Sequence, residues 1–321
     1  EDGIVHSGEL LKAIDLIINK KNNIEILNNE VVRVIIDKKQ CHKLILKDKS
    51  IIYSKNIVFA NGAYAQNLTK NLKELNNVPQ LFFGGGSGID LIFSNLSNKF
   101  RKANFEQPEI AVRTLDRGNA CGLHWLPFNK GEYYLGASSA IFTIPENNVR
   151  AASISYLLGD GSKQFSPIIG RSNIKDIKFG FRPVSADIFP LIGESNVKGI
   201  WYLNGTKRDG LTLSPFIVDE LVNLIANGKS KLPKIFYPSR KLISYFNKDI
   251  AIAKAVRSIA SKEHTHGMVL SDGGNYEEYY DRLKNEFEMI YKKLNIKKFG
   301  IHPELLPLYK NNLIKSKREI N

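Results

Sequence analysis

Cysteine is nearly absent: the 321 residues hold two, Cys41 and Cys121. Two cysteines outside any Cys-x-x-Cys spacing make no disulfide framework, which favours a reducing, cytoplasmic compartment over secretion. Long apolar runs are also missing. None approaches the ~18–20 residues of a membrane span, and stretches such as Leu16–Ile18 or Leu91–Phe93 are interrupted within a few positions, so a spanning helix is excluded. Acidic residues are in deficit, 32 against 46 Lys and Arg, for a net charge of +14. A nucleic-acid face needs that excess on one stripe, interleaved with stacking aromatics. Here lysine falls in scattered pairs (Lys20-Lys21, Lys38-Lys39, Lys292-Lys293, Lys297-Lys298) beside Asn and Ile, the drift of an AT-rich genome, and a solvated surface is favoured. At Glu1 there is no initiator Met, no basic region and no apolar signal segment, so the chain reads as an excerpt of something longer.

What remains is 43% hydrophobic and 24% charged, the composition of ordinary globular protein, with length for about two domains. The opening predicts a helix, with Ser7 as N-cap, Leu10, Leu11, Ile14, Ile17 and Ile18 at helical spacing, and Lys20-Lys21 in the last turn. Strands are expected at Ile24–Leu27, Val31–Ile36, Leu44–Leu46 and Ile51–Tyr53, and a buried strand, Ile57–Ala60, runs into the turn Asn61-Gly62-Ala63. From Leu81 to Tyr156, β segments with glycine punctuation and no long helix predict an inserted antiparallel sheet. Its strands are placed at Leu81–Phe83, Ile89–Phe93, Ile110–Arg113, Leu123–Pro127 and Tyr133–Leu135. The run Gly84-Gly85-Gly86-Ser87-Gly88 lacks the order of a phosphate loop and is expected to be a hairpin turn. Strands at Lys178–Pro183, Pro190–Gly193 and Gly199–Leu203 follow. Ser214 as N-cap and Pro215 at the first position then open a helix that Gly228 stops. Tyr276, Tyr279, Tyr280, Leu283, Phe287, Ile290 and Leu294 mark a later helix packing on its own body.

Three segments carry chemistry. The strand end Ala60-Asn61-Gly62 provides a side-chain-free turn that allows close approach, and Val31 lies on an extended segment whose backbone can meet a base edge. Gly180-Phe181-Arg182-Pro183, followed by Asp187 and Pro190-Leu191-Ile192-Gly193, presents an arginine whose planar fork matches a carboxylate. Gly205-Thr206-Lys207-Arg208-Asp209-Gly210-Leu211-Thr212-Leu213-Ser214-Pro215 is a glycine-relaxed loop entering a helix, whose free N–H groups and positive dipole end favour an anion. Their order resembles the FAD-dependent amino-acid and amine oxidases related to D-amino-acid oxidase, glycine oxidase and sarcosine oxidase.

The resemblance spans Asp2 to Gly228. It implies FAD as cofactor, held by Val31, Ala60, Asn61, Gly62, Gly205, Arg208, Asp209 through its backbone, Gly210, Leu211 and Thr212. It implies Arg182 as the clamp on a substrate carboxylate, and a covering β-hairpin at Leu126-Pro127 and Tyr134–Ser138, with His124, Trp125 and Tyr134 lining the pocket. Hydride transfer from the substrate Cα to flavin, with hydrolysis of the resulting imine, is the implied activity on an amino acid or related amine. The implied fold is α/β with an inserted antiparallel sheet (α+β): a Rossmann-like cofactor domain in two parts, 1–78 and 166–230, around a substrate sheet, 79–165, with a helical extension, 231–321. The Gly-x-Gly-x-x-Gly cradle for the pyrophosphate does not occur in the sequence. It is expected upstream on the full chain or on a partner subunit, so this portion alone should bind FAD poorly. Other readings are a non-catalytic scaffold subunit and a basic binder of nucleic acid or an anionic surface. His264-Thr265-His266 lacks ligand partners at a metal spacing, and no metal is assigned.

Overall fold

The computed structural model describes residues 4–37, 41–93, 110–115, 122–129, 131–244, 246–265 and 274–310. Expectations resting on Glu1, Asp2, Gly3, Lys38, Lys39, Cys121 and His266 lie outside the described residues. After helix α1 (Ser7–Ile18), strands β1 (Val31–Ile35), β2 (His42–Leu46) and β3 (Ile51–Ser54) form an antiparallel meander. Strand β4 (Ile57–Phe59) then leads through a 3-10 turn into α2 (Ala65–Thr69).

The large sheet follows. Strand β5 (Leu81–Ile92) is its spine, joined by β6 (Val112–Arg113), β7 (His124–Asn129), β8 (Glu132–Gly136) and β9 (Ala140–Phe142). After helix α3 (Ala151–Gln164) comes β10 (Asn173–Ser185), and the strands lie in the order β10-β5-β8-β7-β6 with β9 also on β5. Strands β11 (Leu191–Glu194) and β12 (Ile200–Asn204) form the third sheet with β4, and β12 runs parallel to β4. Helix α4 (Gly210–Asn227) packs on β11 and β12 through Ile217, and Gly228 stops it at φ 67°. Helices α5 (Lys248–Thr265), α6 (Tyr276–Leu294) and α7 (Leu306–Lys310) complete the chain. The architecture is therefore α+β, with an antiparallel sheet set between the parts of an α/β framework.

Several local expectations are corrected. The glycine run 84–88 is not a hairpin turn but the middle of β5, so two expected strands are one. Helix α3 falls where no long helix was expected. Gly159 and Gly161 weaken the local signal, but a Cβ on Gly161 would stand 2.9 Å from Leu135, so the close seat of α3 on β8 overrides propensity. Residues 24–27 form no strand; Ile24, Ile26 and Leu27 are exposed. In α1 the N-cap is His6, whose Nδ1 accepts from the Glu9 amide, and Lys20-Lys21 follow the helix rather than close it. No residue of α1 is buried, although its apolar stripe is regular.

The expected helix at Tyr276–Leu294 buries Tyr279, Leu283, Phe287, Ile290 and Tyr291, each side chain contributing roughly 1.5–3 kcal/mol. These share one core with Phe82 of β5 and Val184 of β10, so α5, α6 and α7 are built into the body. One polar junction fastens the segment between α4 and α5. Asp187, wholly buried, receives Arg240 Nη2 at 2.8 Å and Nε at 3.0 Å, and the same guanidinium donates to the carbonyls of Phe189, Pro190 and Tyr237. Arg240→Ala strands the Asp187 charge and is expected to destabilise the fold by about 3–5 kcal/mol in urea titration. A second expectation concerns His302, whose imidazole is pushed down to about 4, first by burial and further by nearby Lys207. Its folded pKa lies below the unfolded value of about 6.5, so the unfolded chain binds more protons between those values. Stability is therefore full above pH ~6.5 and declines toward pH ~4, by up to about 3 kcal/mol, and His302→Gln flattens that slope.

Candidate functional site

Residues directly opposite one another in an antiparallel ladder share a face, and so do alternate residues along a strand. Register places Gly84 opposite Arg182, Gly86 opposite Gly180, Gly88 opposite Gly136, and Gly136 opposite His124. Gly84, Gly86, Gly88, Gly136 and Gly180 therefore form a floor without side chains, and Arg182, Tyr134 and His124 all belong to that face. The other face is a packed core: Ile89, Leu91, Leu135 and Trp125 lie against Leu157, Ile168 and Ile169. Trp125 accordingly belongs to this core and not to the pocket face with His124.

The glycines explain themselves on that floor. A Cβ on Gly86 would collide with the Arg182 guanidinium, and one on Gly88 or Gly136 would collide with the Tyr134 ring. Both side chains lie flat across strands that have nothing in the way, the close approach that interior strand glycines mark. A Cβ on Gly180 would meet nothing, so the space beside the guanidinium is open. Arg182 is half-buried, and among the described residues its guanidinium makes no hydrogen bond or ion pair. Farther along the face Lys178 is paired with Asp90 at 2.5 Å, and Phe128 stacks near Tyr134 with centroids 5.9 Å apart.

The remaining expected residues gather at the end of β10. Ala60 and Asn61 are exposed, and Gly62 turns at φ 61° with nothing within 4 Å of its missing Cβ. Tyr64, just beyond, packs edge-on against Phe83 and against Phe181, which alternation puts on the face opposite Arg182. Asn204, buried at the end of β12, donates to the carbonyl of Gly62 at 3.0 Å and accepts from the Gly205 amide at 2.8 Å. One side chain thus joins the turn at 60–62 to the loop at 205. That loop is in turn fixed to β10: Thr206 bridges Val184, and the Lys207 amide donates to the Pro183 carbonyl at 2.9 Å. Gly205 sits at φ 70°, where a Cβ would stand 3.1 Å from the Leu191 nitrogen.

Helix α4 begins at Gly210, a turn earlier than the expected Ser214 cap. Pro215 lies inside it and leaves the Leu211 carbonyl without its usual amide partner; the Ser214 hydroxyl donates there instead, at 2.8 Å. Asp209 occupies the cap position without a side-chain cap hydrogen bond, so the first-turn amides of Gly210, Leu211 and Thr212 have no side-chain cap. Arg208, Asp209, Leu211 and Thr212 are exposed around this helix end. Val31 stands apart, at the start of β1 beside a register irregularity. Asn204 was visible in the sequence only as an Asn-Gly step, and nothing local marked its cross-link. Among the described residues no three His, Cys, Asp or Glu side chains converge as a metal site.

A family model described as FAD dependent oxidoreductase (DAO) matches residues 1–224. The structure is similar to glycine oxidase from Geobacillus kaustophilus, with 19% identity and TM-score 0.53 over 67% of this chain and 53% of that one. It is similar to iminodiacetate oxidase from Chelativorans sp. BNC1, with 19% identity and TM-score 0.57 over 74% and 59%. It is also similar to L-proline dehydrogenase from P. horikoshii, with 16% identity and TM-score 0.52 over 66% and 53%. The chain spans a little over half the length of these solved structures. A search of the curated proteins returned no match. A shared fold alone would leave the family open, but the match covers most of the chain and contains the glycine-floored sheet, Arg182 and the loop at 205–212: the chain belongs to the DAO family of FAD-dependent oxidoreductases.

Proposed function

We propose that this chain forms the substrate-facing part of an FAD-dependent oxidoreductase acting on an amine that carries a carboxylate. One observation carries the reading: Arg182 is a half-buried cation with no partner among the described residues, beside open space over Gly180. A cation partly withdrawn from water and left unpaired is an anion site, and a guanidinium binds a carboxylate in two parallel hydrogen bonds. Tyr134 and His124 share its face and are proposed to bound the substrate.

The residues fit FAD. Gly62 has open space where a side chain would be, and Gly205 and Gly210 leave two side-chain-free positions, at the start of the loop and at the first residue of α4. When bound, FAD supplies the two-electron acceptor. Ala60, Asn61 and Gly62 are proposed to lie against it, Val31 to meet its adenine, and Gly205, Arg208, Asp209, Gly210, Leu211 and Thr212 to hold its ring end. There the first-turn amides of α4 place positive potential where an anion gains most. Arg182 fixes the substrate's carboxylate and, with the floor, its orientation, which is the principal demand of a hydride transfer from carbon.

The pyrophosphate loop is proposed to come from a βαβ unit, upstream or on a partner subunit, that covers apolar side chains which α1, β4 and α4 leave exposed. Leu11, Ile17, Val58, Leu211 and Val222 are between 41% and 61% exposed. The residue ranges 1–78 and 166–230 are proposed as the two parts of the cofactor domain, 79–165 as the substrate sheet, and 231–321 as the extension.

Anaerobic reduction of the FAD-loaded protein, assembled with its pyrophosphate-binding unit, by a panel of amines is the test. Arg182→Met is expected to raise KM for amines bearing a carboxylate by roughly 10- to 100-fold and to leave their decarboxylated counterparts unchanged. Gly86→Ala, whose methyl displaces the guanidinium, is expected to follow it. Failure of that assembled protein to bind flavin, or unaltered turnover of carboxylated amines in Arg182→Met, would sink the proposal.

A further inference from the structure

The helical C-terminal part lies outside the family match, yet it reaches the loop at 205–212 through an ion pair. Lys207 Nζ meets Glu304 Oε1 at 2.6 Å, and the two side chains are only 12% and 6% exposed. Both ends of this ion pair are mounted rigidly. On the loop side, Lys207 has φ 50°, a left-handed backbone that a non-glycine residue keeps only where its surroundings over-determine it. Its amide is held by the Pro183 carbonyl and its neighbour Thr206 by Val184. On the other side, the Glu304 amide donates to His302 Nδ1 at 3.3 Å. The Ile301 amide donates to the Tyr291 hydroxyl at 2.8 Å, which ties the turn to α6. The pair joins two stretches 97 residues apart that no secondary structure connects.

A buried ion pair is a poor device for stability, since an apolar pair of the same volume serves as well or better. Its advantage is direction: the lysine tip must sit where the carboxylate is. Here that requirement falls on the residue between Thr206, which bridges to β10 one position past Pro183, and Arg208, which enters α4.

We infer that Lys207 and Glu304 are positioning residues: the C-terminal helices act as a clamp that fixes the loop leading into α4 in the geometry that holds flavin. The inference rests on the FAD reading above. It assigns the C-terminal part a role in cofactor affinity that its distance in sequence from every flavin-facing residue conceals.

The experiment uses the protein with its pyrophosphate-binding unit present and FAD loaded, and compares wild type with Glu304→Gln, Glu304→Asp and the double variant Lys207→Met with Glu304→Met. It reads thermal midpoint, FAD dissociation constant and the midpoint potential of the bound flavin. Glu304→Gln lowers the thermal midpoint and weakens FAD, and Glu304→Asp recovers part of both. The double variant, with no charge left buried, regains the thermal midpoint but still binds FAD about tenfold more weakly and at a lower potential. A double variant whose dissociation constant and potential match wild type overturns the clamp and leaves the FAD reading intact. Wild type that binds no FAD even with the pyrophosphate-binding unit present overturns both.

Discussion

The close approach of two side chains to a strand that has none shapes this molecule. Arg182 and Tyr134 lie flat only because Gly86, Gly88 and Gly136 put no carbon beneath them. Two facts depend on that flatness: the guanidinium is half-withdrawn from water, and no neighbouring carboxylate has taken it among the described residues. A larger residue at any of these glycines would lift the side chain above it into the space beside Gly180. The floor and the cation are one feature, and the opposite face is packed on α3 through Leu135 and Leu157.

Around that face the chain ties distant segments with few polar contacts. Asn204 binds the turn at 60–62 to the loop at 205, Lys207 binds that loop to β10 and to Glu304, and Asp187 with Arg240 binds the β10–β11 connection to the C-terminal segment. Each of these side chains is buried or nearly so, where a hydrogen bond to a charged group is at its strongest and its loss most costly. The apolar side chains that α1, β4 and α4 leave exposed contrast with this economy. The stripe of α1, none of it buried, is the physical ground for proposing a covering unit.

Much of this was legible in the sequence where the signal is local. The stripe from Tyr279 to Ile290 has the helix period and became α6. Ile57–Phe59 ending in Asn61-Gly62 reads as a strand and a turn, and Gly-x-Arg-Pro singled out Arg182. The glycine run of β5 was misread because glycine signals a turn to any local rule, and only the partners across the sheet reveal why a strand needs it. Helix α3 hid behind Gly159 and Gly161, whose use lies in packing on Leu135. The early start of α4 hid behind Ser214-Pro215, a cap signature by type, whose hydroxyl in fact fills the gap that the proline leaves one turn back. Lys207 with Glu304, and Asp187 with Arg240, are separated by 97 and 53 residues, and nothing in either neighbourhood announces the other.

The central claim is that Arg182 on the glycine floor faces the flavin and takes a carboxylate there. Titration of the FAD-loaded protein, assembled with its pyrophosphate-binding unit, with benzoate, a carboxylate with no amine to oxidise, tests it most directly through the visible flavin spectrum. The account predicts a saturable shift of the flavin bands in wild type and none in Arg182→Met at the same concentrations. Identical saturable shifts in both proteins, or a wild-type spectrum that benzoate leaves unmoved, would contradict it.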